Sequence, residues 1–97
     1  MVEKRVQIVN VLGLHARAAA RFVRAAARYR SKVMITKDRT TTDGKSILGI
    51  LFLGATPGTE IVITASGDDE NEAVDALAGL VADGLGEVAE DAAEELS

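Results

Sequence analysis

The chain has 97 residues, a net charge of −4 from eleven Lys and Arg against fifteen Asp and Glu, a single histidine and no cysteine. That length is one domain with room for one modest core, and the missing thiols exclude disulfides, thiolate metal sites and cysteine nucleophiles, in keeping with a reducing compartment. The 47% apolar fraction includes sixteen alanines and three aromatic residues, so Val, Ile and Leu must build the core, with two Phe and one Tyr as larger fillers.

Residues 2–9, "VEKRVQIV", are rich in β-branched side chains with Val6 and Ile8 on one face, which predicts a strand. "NVLGL" follows as a loop with Gly13 as its flexible joint. From 16 to 29 the pattern is helical, and Ala19, Phe22, Val23 and Ala26 form the apolar stripe. "RSKVMITK" predicts a second strand with Val33 and Ile35 inward. Residues 39–42 predict a short third strand, ended by the turn dipeptide Asp43-Gly44.

The continuous apolar run "KSILGILFL" fits a buried strand or a short helix. Ser46 is a good N-cap and Gly49 a poor strand residue, which favours the helix. Pro57-Gly58 predicts a type II turn, and "EIVITAS" alternates Ile61, Ile63 and Ala65 on one face as a fourth strand. The last helix opens within "SGDDENEAVDALAGLVADGLG", its first turn crowded with acids that suit the positive end of the helix dipole. Val74, Leu77, Val81 and Leu85 make its buried stripe, and Gly84 and Gly86 end it. Residues 1–86 therefore read as one domain. Residues 87–97, with five acids and no base, read as an acidic tail, mobile or loosely continuing the helix. The order β-α-β-β-α-β-α predicts an α+β open-faced β-sandwich, one sheet face packed and the other solvated.

Charge is divided along the chain. All eleven bases lie in residues 1–45 with three acids, giving +8, and residues 46–97 hold twelve acids and no base, giving −12. A basic face on a small acidic body suits acidic proteins or phosphates better than nucleic acid. The start, "MVEKRVQIVN", lacks the apolar stretch of a signal peptide. The longest apolar run, "ILGILFLGA", is far short of the ~20 residues of a membrane span. The expectation is a cytoplasmic protein that does not insert into membranes.

His15 stands where the first helix should begin, although Ser, Thr, Asp or Asn would cap better. A metal site is a poor reading, because no second His and no Cys exists to complete it. No G-x-S-x-G is present for a serine hydrolase. At the N-cap, by contrast, the amides of Ala16, Arg17 and Ala18 have no intrahelical acceptor, and the dipole favours an anion. The Arg17 guanidinium matches phosphate oxygens. An imidazole beside an anion site, in a residue class that titrates near neutrality, suggests a nucleophile that receives a phosphoryl group.

"GLHARAAARFV", then "KSILGILFLGA", then "GDDENEAVDAL" resemble HPr, the histidine-containing phosphocarrier family of the bacterial phosphoenolpyruvate-dependent sugar phosphotransferase system (PTS). The resemblance covers about 2–85, with the motifs in family order. It implies a four-stranded antiparallel sheet with three helices on one side. It implies that His15 accepts a phosphoryl group on Nδ1 from phospho-enzyme I and passes it to IIA domains of sugar permeases, with Arg17 neutralising charge during in-line transfer. The protein would then be a carrier rather than an enzyme, and would need no cofactor. HPr proteins usually carry proline directly after H-A-R, where this chain has Ala18. The loss of proline loosens the first turn by about 0.4–1 kcal/mol through unfolded-state entropy, and it leaves room for a regulatory paralogue such as one of a nitrogen branch.

"KSILG" resembles the family's regulatory site, where HPr kinase/phosphorylase acts on the serine, here Ser46. A phosphate at a helix N-cap is tolerated by the dipole and would place charge beside a docking partner. Arg17, Arg21, Arg24 and Arg28 share a narrow stripe opposite the apolar face. Arg21 and Arg24, with Ile47, Leu48 and Leu51, are the expected docking residues, and Arg28 is an ordinary solvated side chain. A shuttle keeps its active face free, so a monomer is expected. The rival from another class is a basic-helix interaction module in which His15 is incidental; it predicts salt-dependent nucleic-acid binding but gives no reason for "GLHAR".

Overall fold

The computed structural model describes residues 1–86; the acidic tail expected over 87–97 lies outside the described residues. The elements run β1 (Val2–Gln7), α1 (Ala16–Ala26), β2 (Lys32–Lys37), β3 (Thr40–Asp43), α2 (Ile47–Leu53), β4 (Glu60–Ser66) and α3 (Glu70–Ala82). The strands form one antiparallel sheet in the order β1-β4-β2-β3. Register places Val6 opposite Ile61 and Lys4 opposite Ile63, and Ile35 pairs with Ile63 from the other side.

Alternation decides which face the helices cover. Val33, Ile35, Ile61, Ile63 and Ala65 are buried, whereas Val62 and Thr64 between them are partly open. Lys4 belongs to the covered side at the β1 edge, and its ammonium reaches Asp75 on α3 at 2.7 Å. Helix α1 contributes Ala18, Ala19, Phe22 and Ala26, and α3 contributes Ala73, Val74, Leu77, Ala78 and Val81. Phe22 has no exposed surface and is the largest wholly buried side chain, a position where truncation to Ala costs about 3–5 kcal/mol.

The run 45–53 forms the helix α2 from Ile47 on, capped by the Ser46 hydroxyl accepting from the Gly49 amide at 3.0 Å. A Cβ at Gly49 would collide with the Thr42 hydroxyl, so the glycine lets α2 lie against β3. Gly58 has φ +87°, and the Thr59 amide donates to the Thr56 carbonyl at 3.0 Å, as a type II turn requires.

Three readings need correction. Helix α1 stops at Ala26 and not at Tyr29, because the amides of Arg28 and Tyr29 bond three residues back, to Ala25 and Ala26. The Lys45 ammonium then takes the Tyr29 carbonyl at 2.8 Å. Gly13 is not a flexible joint: at φ +65° a Cβ would run into the Ala55 carbonyl, so the loop is pressed against the chain that follows α2. Leu85 is buried as expected, but at φ +59° just beyond α3 and not as a further helical turn. Among the described residues no helix is long and apolar enough to cross a membrane.

Candidate functional site

The loop before α1 is braced at successive residues. The Gly13 amide donates to the Asn10 carbonyl at 3.1 Å, the Asn10 side-chain amide donates to the Gly13 carbonyl at 2.6 Å, and the Leu14 amide reaches the Ala55 carbonyl at 2.9 Å. Asn10, Gly13 and Leu14 are buried. The chain therefore reaches His15 through a fixed turn, and the first intrahelical bond, from the Ala19 amide to the His15 carbonyl, closes at 2.8 Å.

His15 is the N-cap, with extended backbone at φ −81° and ψ −178°. Its Nδ1 accepts from the Arg17 amide at 3.3 Å, a long and weak bond. That contact requires a lone pair on Nδ1, the lone pair a nucleophile needs. The ring is half-buried, while Ala16 and Arg17 are exposed and Ala18 is buried. The first turn of α1 contains no acid. Imidazole and helix-start amides therefore meet at one accessible point with positive character and no acidic side chain in the turn, and Arg17 is the second residue of that helix. A phosphoryl group carried on Nδ1 would displace the weak bond and leave the Arg17 amide to donate to a phosphoryl oxygen.

The other expected residues divide. Arg24, Ile47 and Leu48 are exposed, the last two by 43% and 62%. Leu51 is half-buried against the core. Arg21 is also half-buried, and its guanidinium donates to the Leu85 carbonyl at 3.0 Å. The reading by residue type did not single out Phe52, 78% exposed on the same short helix. Ile50 and Leu53 turn inward together, and the helical period then directs Phe52 outward; the uniformly apolar run gives no way to choose that face from the sequence. Ser46 is half-buried, its oxygen engaged at the cap.

The start of α3 is constructed differently. Asp69 does not cap its own helix; its carboxylate accepts from the Ser31 hydroxyl and from the amides of Arg30 and Ser31, the amide bonds at 2.8 and 2.9 Å. The Ser31 hydroxyl first, and the Arg30 amide next, hold Asp69 below the usual carboxylate range. Glu70 is lowered too, first by its bond to the N-terminal ammonium and then by the Gly67 amide.

The sequence model described as "PTS HPr component phosphorylation site" matches residues 2–83. Phosphocarrier protein HPr of Neisseria meningitidis is 41% identical over 87 residues, covering 90% of this chain and 98% of the relative. HPr-like protein Crh of Bacillus subtilis is 42% identical over 81 residues, 84% of this chain and 95% of Crh. Among solved structures, HPr of Thermoanaerobacter tengcongensis superposes with a TM-score of 0.87 at 42% identity, covering 91% of this chain and 99% of that one.

Proposed function

The chain belongs to the HPr phosphocarrier family of the PTS, and on that premise we propose that His15 is its phosphoryl-carrying residue, loaded by phospho-enzyme I and unloaded onto IIA domains of sugar permeases. The observation that carries this reading is the 3.3 Å contact between His15 Nδ1 and the Arg17 amide at an exposed helix start. In the loading step the Nδ1 lone pair attacks phosphorus in line, a P–N bond forms to His15, and the donor's bond to phosphorus breaks with its electron pair returning to the donor. The Arg17 amide turns from Nδ1 to a phosphoryl oxygen, and the guanidinium neutralises charge spread over the oxygens. Transfer to the acceptor reverses these roles. The carrier changes no bond of a sugar; it is a substrate of its partners.

Arg24, Ile47 and Leu48 supply a basic and apolar docking surface, small enough to release each partner. Arg21 and Leu51, both partly covered, sit at its margin. Ser46 is a site for HPr kinase/phosphorylase: a phosphate there replaces the cap oxygen at the positive end of α2 and sets negative charge beside the docking residues. The protein acts as a cytoplasmic monomer, because both transfers need the His15 face open. Similarity to Crh, the catabolite repression HPr of Bacillus subtilis, favours a second reading, a regulatory paralogue that also carries a phosphoryl group on His15, and transfer from the loaded protein to IIA domains of sugar permeases separates the two.

The test is intact-protein mass spectrometry after incubation with phosphoenolpyruvate and enzyme I of the same organism, beside His15→Ala. An acid-labile phosphoryl adduct on the parent and none on the variant is the expected result. No adduct on the parent, with a control carrier labelled in the same tube, overturns the carrier reading.

A further inference from the structure

Between α1 and α3 runs a groove lined by Arg21, Arg24, Ala25, Arg28 and Leu80. Arg21 donates to the Leu85 carbonyl at 3.0 Å, and Gly86 lies against its guanidinium. The described residues therefore end beside the first arginine of this groove. Among the described residues neither Arg24 nor Arg28 takes part in an ion pair. The two acids nearest along α3, Asp75 and Asp83, do not supply one: Asp75 pairs with Lys4 on the β1 side, and Asp83 is the C-cap residue.

The charge balance identifies a candidate occupant. Residues 1–86 hold eleven bases and ten acids, a net +1, and the whole net charge of −4 comes from Glu87, Glu90, Asp91, Glu94 and Glu95 beyond them. We propose that residues 87–97 dock in the arginine groove of their own chain, placing these acids against Arg24 and Arg28 and Val88 against Leu80 and Ala25. Reach allows it. At a rise of ~1.5 Å per helical residue, Arg24 lies about 5 Å along α1 from Arg21, and Arg28, two residues past the end of the helix, lies roughly 10 Å away. An extended chain covers roughly 13–18 Å in the four or five residues from Gly86 to Glu90 and Asp91.

Tethering gives such a segment an effective concentration in about the millimolar range. Any acidic protein face that uses these arginines then competes with acids already in place. The groove runs from Arg21 away from His15, so the occupied tail leaves the start of α1 open. The device acts on docking and not on the phosphoryl-accepting atom. It stands independently of the carrier reading.

The chain has no cysteine, so Ser97→Cys takes a single nitroxide label in the full-length protein. At low salt the label should broaden the amides of Arg24, Arg28 and Leu80 away. Salt well above physiological shortens the screening length to about 3 Å at 1 M and should restore them. Glu87→Gln, Glu90→Gln, Asp91→Asn, Glu94→Gln and Glu95→Gln together should restore them at low salt, with the rest of the amide spectrum unchanged. Persistence of those peaks at low salt in the parent, or broadening that survives neutralisation, overturns the proposal. Broadening that also appears when the labelled chain is mixed with an unlabelled, isotope-enriched one assigns the contact to a second copy and likewise overturns it.

Discussion

At the start of α3 the chain supplies its own negative charge, with Glu70 and Glu72 in the first turn and the Asp69 carboxylate engaged by three hydrogen bonds from residues 30 and 31. At the start of α1 it supplies no acid, and the cap is an imidazole holding one amide at 3.3 Å. Both helices face the same electrostatic demand, four orphan amides at the positive end of a dipole. At α3 the acids of the first turn answer the dipole permanently, while the Asp69 carboxylate turns away to tie the helix start to residues 30 and 31. Helix α1 has no acid in its first turn, and on the proposed function that leaves it open to a phosphoryl group. Stability is invested at one terminus and chemistry at the other, and α2, with its 3.0 Å serine cap, stands between them as an ordinary helix start that a modification could charge.

That contrast can be broken at either end. His15→Ala should abolish phosphoryl uptake in the mass-spectrometric assay while costing only about 0.5 kcal/mol in thermal or urea unfolding, the low end for a lost cap, because the bond removed is long. Arg17→Ala should slow loading by about 10²-fold in rapid-quench kinetics, the scale for losing one group that stabilises transition-state charge, with unfolding unchanged. Asp69→Asn should do the reverse, lowering the melting temperature at neutral pH and leaving the loading rate alone. Asp69 is depressed in the folded state, so its stabilising contribution is present above the unfolded carboxylate value of 3.8 and is lost as pH falls through the lower folded value. Melting followed from pH 7 down to pH 2 should accordingly show a shallower acid decline in Asp69→Asn than in the parent. A parallel decline would remove Asp69 from the account.

Smaller changes sharpen the comparison. Ser46→Ala should cost about 1 kcal/mol in chemical denaturation, an ordinary cap loss, with little change in uptake at His15. Ala18→Pro should stabilise by about 0.4–1 kcal/mol, since residue 18 precedes the first intrahelical bond at Ala19 and a proline amide would be missed by no helical partner.

Much of this arrangement was legible in the sequence, for stated reasons. Alternation in "EIVITAS" and the apolar stripe through Phe22 are local patterns, and a local pattern suffices where one face is buried. The helix starts at His15 and Ser46 were legible because helix starts have a chemistry of their own. What escaped depends on contacts between residues distant in sequence. The turn that follows α1 is held by Lys45, sixteen residues beyond Tyr29. Gly13 is held by Ala55, and Asp69 turns back to Ser31 and not onto its own helix. Arg21 looked like a free docking residue because nothing nearby shows that Leu85 comes round to meet it. Phe52 was within reach of helical periodicity, but its face could be assigned only with the inward pair Ile50 and Leu53 known.

The central claim is that the phosphoryl group sits on His15 Nδ1 and takes over the Arg17 amide. It is tested most directly by nitrogen-15 NMR of the chain before and after loading with phosphoenolpyruvate and enzyme I. The account predicts a phosphoramidate signature at Nδ1, a large shift of the Arg17 amide, and amides at the start of α3 that stay where they were. A signature at Nε2, or an Arg17 amide that does not move, would contradict it.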